Sequence, residues 1–213
     1  MQAQSFAPYE SLAEALIPHA ADSGDGSHDL AHIHRVFRNA MRIHEQEGGN
    51  GTVLAASVLL HDCVAVEKNS PLRAQASRLA AEKASSILDA LGWQRQDIDA
   101  AAHAITTHSF SANIEPQTLE AKILQDADRL DAIGMVGAAR CFYIAGRMGS
   151  ALYDPADPLA KARPLDDRAF AIDHFETKLF KLADGFRTET GRQMAEARHE
   201  RLKQVLDLFL DEI

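Results

Sequence analysis

An all-α fold, a single helical bundle over residues 1–213, is what this sequence predicts, and two observations carry the prediction. Apolar residues recur with helical period over almost every segment, and the alternating β-branched runs that mark strands are missing. Length agrees, since 213 residues suffice for one well-buried domain.

The first periodic stretch, residues 30–46, sets Leu30, Ile33, Val36, Phe37, Ala40, Met41 and Ile43 on one broad stripe. Residues 52–62 are nearly all apolar, as a central helix buried on every side would be. Residues 72–91 are rich in alanine and end before Gly92, a good helix stop. Helices follow over 97–107 and 118–133, the second with Pro116 just ahead of its start. Glycines at 134, 137, 146 and 149 mark a helix with close contacts, and residues 149–165 form a breaker-rich loop with Pro155, Pro158 and Pro164. Two helices, 167–184 and 190–211, complete the chain. Arg192, Glu196, Arg198, Glu200, Arg201 and Lys203 give the last one a solvated face. Its Phe and Leu positions read as core rather than as a dimer face, and a homodimer is left open. The expected organisation is a metal-binding core over about 28–135, with the C-terminal helices of 166–212 packing on it.

Composition excludes several classes. A net charge of −9 opposes an extended nucleic-acid footprint, because phosphate backbones are bound by clustered Lys and Arg. It does not oppose a small phosphate-bearing ligand, since a bound divalent cation reverses the local field. No apolar stretch approaches the roughly 20 residues of a membrane span, and the N-terminus is not a signal peptide, so a cytoplasmic protein is expected. Cys63 and Cys141 lack metal or redox spacing, and Cys63 reads as a small buried apolar residue.

Four metal-binding residues lie on three segments: His32, the pair His61-Asp62, and Asp128. The pair ends an apolar helical run, Val58-Leu59-Leu60, where the chain is expected to break away through Lys68-Asn69-Ser70-Pro71. Adjacent helical residues point about 100° apart, so both grip one ion only at a helix end. Two imidazoles and two carboxylates suit one divalent ion in octahedral geometry: Mn²⁺, Mg²⁺, Co²⁺, Ni²⁺ or Fe²⁺. Zn²⁺ fits less well, because four protein ligands close a tetrahedral site to chemistry. Asp131, three residues beyond Asp128, shares its helix face and is placed to orient a ligand or take a proton. His28, four before His32, shares that histidine's face; Asp29 caps the helix. His103 and His108 are five apart, about 140° round a helix, so they do not aim at one ion together. His108, at a helix end, is expected to line the pocket. For phosphate the nearby cations are Arg35, Lys68, Arg73, Arg78 and Lys122, with Lys68 the best placed.

The order His…His-Asp…Asp resembles the signature of the HD superfamily of metal-dependent phosphohydrolases. Further stretches look like a branch of small bacterial HD proteins: residues 28–36, 108–110, 120–131, 154–158, 163–167 and 173–179. The resemblance spans nearly the whole chain and implies an all-helical HD-type bundle with the metal site at its centre. Characterised members resemble metal-dependent nucleotide pyrophosphohydrolases. The expected substrate is therefore a nucleotide, foremost a nucleoside triphosphate cleaved to monophosphate and pyrophosphate. A monophosphate phosphatase or another phosphodiesterase on the same site is the alternative, and a metal-dependent nucleotide sensor the non-enzymatic one. In the enzyme reading Asp131 accepts the water proton, Lys68 steadies phosphate charge, and His28, Arg35, Lys68, Arg78 and His108 meet the substrate.

Overall fold

The structure, a computed structural model, describes residues 3–20, 30–66, 73–109 and 113–213. Among them there is no strand, only an isolated parallel bridge between Ala151 and Phe170. The all-α expectation is met. No helix of the described residues is long and apolar enough to cross a membrane. The chain forms two compact units, Met1–Asp128 and Arg129–Ile213.

In the first unit, helices α1 (Glu10–Leu16), α2 (Leu30–Glu47), α3 (Gly51–Leu60), α4 (Ala76–Ala90) and α5 (Arg95–Thr107) precede α6 (Leu119–Leu130), which runs to the boundary. Helix α3 is its axis. Residues Val53 to Leu60 are all buried, and the helix packs against α1, α2, α4 and α5. Each fully buried Val or Leu contributes about 1.5–3 kcal/mol, which is why a run without a polar face sits at the centre. The run starts at Asn50, whose Oδ1 accepts from the backbone N–H groups of Thr52 and Val53 at 3.1 and 3.2 Å. At Gly51 an added Cβ would collide with the Tyr9 hydroxyl and lie 2.8 Å from His44 Nε2, so a larger residue there requires those side chains to move. Helix α2 buries Ile33, Val36, Phe37, Ala40 and Ile43, the stripe its period predicts. Phe6 packs edge-on against Phe37, with ring centroids 5.0 Å apart.

The second unit contains α7 (Gly134–Met148), α8 (Asp173–Thr177), a 3-10 turn at Leu179–Ala183 and α9 (Glu189–Leu210). Helix α7 stops at Gly149, a left-handed residue with φ +76° that glycine adopts without strain. Ala138, Cys141, Phe175, Leu179, Leu202 and Leu206 form the core, with Val205 and Phe209 packed against it. The apolar face of α9 is therefore mostly core, although Leu208 is exposed.

One expected helix, 167–184, is corrected. Only Asp173–Thr177 is α-helical there, and a 3-10 turn follows. The backbone before it is diverted: Asp166 Oδ1 accepts from the N–H groups of Arg168 and Ala169, and Ala171 and Ile172 donate to the carbonyls of Ala151 and Leu152. Those donors are spent outside a helix. The proline-rich loop is ordered by Asp157, whose carboxylate accepts from the N–H groups of Lys161, Ala162 and Arg163. Arg163 in turn grips the buried Asp173 carboxylate at 2.6 and 2.9 Å.

Candidate metal centre

Three helices of the first unit deliver the four expected ligands to one place. His32 lies in the first turn of α2 and is buried; His61 is the residue that ends α3, also buried. Asp62 follows in the turn, which closes through the Cys63 N–H donating to the Leu60 carbonyl at 3.1 Å. Lys83 caps that turn, its Nζ 2.7 Å from the Cys63 carbonyl. Asp128 sits in the last turn of α6. The two carboxylates keep 31% and 29% exposure while the imidazoles keep 0–1%, so the site opens on its acidic side.

The rings are prepared to coordinate. His61 Nδ1 lies 2.7 Å from the Val58 carbonyl, and a carbonyl only accepts, so Nδ1 holds the proton and Nε2 the lone pair. That Nε2 is 3.2 Å from His32 Nε2. Asp128 Oδ1 is 3.4 Å from His32 Nε2 and 4.0 Å from His61 Nε2; Asp62 Oδ2 is 3.8 and 3.6 Å from the same two atoms. A triangle with sides 3.2, 3.4 and 4.0 Å has a circumscribed radius of about 2.1 Å, and so has one with sides 3.2, 3.6 and 3.8 Å. Bonds from divalent first-row cations or Mg²⁺ to imidazole nitrogen or carboxylate oxygen are about 2.0–2.2 Å. Each donor triangle therefore encloses a point at bonding distance from all three corners. The donor set fits a divalent cation, and its mixed N/O character suits octahedral coordination with positions left for water and substrate.

His108 joins the same place. It ends α5, is buried, and lies with Nε2 3.8 Å from Asp62 Oδ1 and its ring edge-on to His61 at 5.0 Å. Its Nδ1 donates to the Ile105 carbonyl at 2.6 Å, leaving the Nε2 lone pair toward the site. Burial, followed by His61, pushes its pKa down, which favours the neutral ring. His32, His61 and Asp128 form one group of mutually close donor atoms, and His61, Asp62 and His108 form a second that shares His61 with it. His103 is not part of it and accepts from the Gln117 N–H at 3.0 Å.

The other expected residues divide. Arg35 is half-buried on α2, one turn beyond His32, and Lys122 is half-buried on α6; Arg78 is exposed on α4. His28, Asp29 and Lys68 lie outside the described residues, as does the side chain of Arg73. Asp131 falls in the second unit, where its buried carboxylate is ion-paired with Arg140 at 2.8 Å. Cys63 is buried as expected, and burial raises its thiol to about 11. Sequence reasoning missed Lys83, and it missed two buried amides, Asn39 and Gln125. Their signal is a polar side chain interrupting an apolar stripe.

Fold and donor set together define a class. The HD domain profile matches residues 29–133, a span that holds all four ligands. The protein YpgQ of Bacillus subtilis is 35% identical over 181 residues, covering 83% of this chain and 80% of YpgQ. The crystal structure of YpgQ in complex with ADP is similar at a TM-score of 0.70, with 32% identity, over 100% of this chain and 95% of that one. An HD-superfamily hydrolase from Bacillus thuringiensis gives 0.69 and 31%, over 98% and 94%. One from an uncultured Thermotogales bacterium gives 0.63 and 28%, over 96% and 93%. The chain belongs to the HD domain family and is an HD-superfamily hydrolase. HD domains bind divalent metals, and the structure has a His/Asp cluster that could hold one, with His32, His61 and Asp128 in one group of close donor atoms and His61, Asp62 and His108 in another.

Proposed function

We propose that this HD protein is a nucleotide hydrolase working with one divalent cation, and that it cleaves nucleoside triphosphates to monophosphate and pyrophosphate. The observation that carries the reading is a pair of donor triangles built on the buried His32–His61 pair, one closed by Asp128 and one by Asp62, each with a point about 2.1 Å from its three corners. When bound, the cation supplies a Lewis acid for a phosphoryl oxygen and lowers the pKa of a coordinated water toward about 7. His61 presents the lone pair of its Nε2 beside His32, and Asp62 and Asp128 offset the positive charge of the cation. His108 Nε2, a lone pair beside Asp62, accepts a hydrogen bond from water or a protonated phosphate oxygen. Asp131 is the proposed proton acceptor, oriented by Arg140. Lys68, His28, Arg35 and Arg78 are the proposed substrate contacts. The ADP bound to YpgQ supports a nucleotide as ligand.

Chelator-stripped protein is assayed on a nucleotide panel with Mn²⁺, Mg²⁺, Co²⁺, Ni²⁺ or Zn²⁺ restored, following pyrophosphate and orthophosphate separately. Metal-dependent pyrophosphate release from a triphosphate is the expected result. Orthophosphate from monophosphates would move the reading to a phosphatase on the same site. Nucleotide binding without turnover under every metal would replace it with a sensor.

A further inference from the structure

Asn39 and Gln125 are buried primary amides, at 6% and 3% exposure. Asn39 Nδ2 donates to the Ala127 carbonyl at 3.1 Å, and Gln125 Nε2 donates to the Thr107 carbonyl at 2.8 Å. The two carbonyls have something in common. Each belongs to the peptide group whose nitrogen is that of a site residue: Asp128 in one case, His108 in the other. A peptide group is a rigid plane, so gripping its oxygen also orients the Cα bearing the site side chain.

The donors sit on helices that themselves carry ligands. Asn39 is seven residues beyond His32 on α2, two turns along nearly the same face. Gln125 is three residues before Asp128 on α6. The bonds therefore tie the His32 helix to the Asp128 peptide, and the Asp128 helix to the His108 peptide. Apolar packing between these helices is non-directional and tolerates sliding, whereas a hydrogen bond is lost within about half an ångström of extra length. A metal bond of about 2.1 Å tolerates less still. A leucine in place of either amide would add burial without the cost of desolvating an amide, so the polar choice calls for a reason beyond packing.

We propose that Asn39 and Gln125 are positioning residues of the metal centre, Asn39 setting Asp128 against His32, and Gln125 setting the α5–α6 register that brings His108 to Asp62. The inference rests on the metal reading above but concerns residues that touch neither metal nor substrate. It predicts that loss of either tie weakens metal binding by about 10–100-fold, the usual effect of removing a group that orients a ligand.

The test uses Co²⁺ as probe on the metal-free full chain, with affinity read by calorimetry and coordination by the visible absorption of the bound ion. Asn39→Leu keeps the branched shape and Gln125→Met the chain length, and both remove the donor. Ser57→Ala is the control: it removes an equally buried hydrogen bond, from Ser57 Oγ to the Val53 carbonyl at 2.7 Å, that grips no site peptide. Unfolding of each metal-free variant is measured in parallel. Weaker Co²⁺ binding and a changed spectrum in the two amide variants, with Ser57→Ala like wild type, is the expected result. Affinities within about threefold of wild type, with only stability lowered, overturn the proposal and leave the metal reading intact. Wild type that binds no Co²⁺ overturns both. If Asn39→Leu does not fold, Asn39→Asp, isosteric but lacking the donor, takes its place.

Discussion

Asp128→Asn should reverse its effect on stability when metal is added. Without metal, Asp62 and Asp128 have oxygens 3.8 and 3.4 Å from the same His32 nitrogen, so those oxygens are at most 7.2 Å apart. Two negative charges at that separation repel by about 2 kcal/mol at an effective dielectric of 20, and their partial exposure reduces this to about 1–2 kcal/mol. The amide is isosteric and removes the repulsion, so the chelated variant should be more stable than chelated wild type by that amount. With metal at a hundred times its Kd, wild type gains about 2.7 kcal/mol, because the ion binds the folded state alone. The variant, short of one anionic donor, gains little at the same concentration, and the order inverts. Urea unfolding with EDTA and then with Mn²⁺ reads both halves. A variant less stable than wild type under EDTA would refute the repulsion argument. An equal Mn²⁺ gain in both proteins would remove Asp128 from the ligand set.

Other expectations follow from the same coordinates. Asp62→Ala should abolish metal-dependent turnover by at least about 100-fold while circular dichroism shows the helices retained; unfolding instead would make the metal a structural element. Cys63 and Cys141, with pKa values pushed up to about 11 by burial, should resist alkylation in native protein at pH 8 and react once it is unfolded. Rapid native labelling of either would contradict that burial. Phe175→Ala should cost about 3–5 kcal/mol in urea unfolding, since the fully buried ring packs between Phe142 and Phe180 at 5.9 and 6.0 Å. A loss under about 1 kcal/mol would contradict its place in the core.

Helices α2 and α3 were legible because a stripe and an all-apolar run are direct consequences of how much of a helix is buried. Helix α1 was not, because seven residues are too few to display a period. The misread helix at 167–184 shows the limit of local pattern: residues 166–172 have helical composition, yet their backbone donors go to Asp166 and to Ala151 and Leu152. His32, His61, Asp62 and Asp128 stand out as candidates because their residue types and order are chemically specific, and the structure brings their side chains together. The place of His108 beside Asp62 depends on how α5 ends against α3, which no spacing encodes. Asn39 and Gln125 interrupt apolar stripes, but their partners could not be read, since the carbonyls they serve lie 88 and 18 residues away in sequence.

The most direct test of the central claim is titration of Co²⁺ into the chelator-stripped protein while pyrophosphate release from a nucleoside triphosphate is followed. The account predicts no release without metal, and activity that rises to a plateau at one equivalent per chain. Release that persists under chelation, or that never appears at any Co²⁺ concentration despite tight binding, would contradict it.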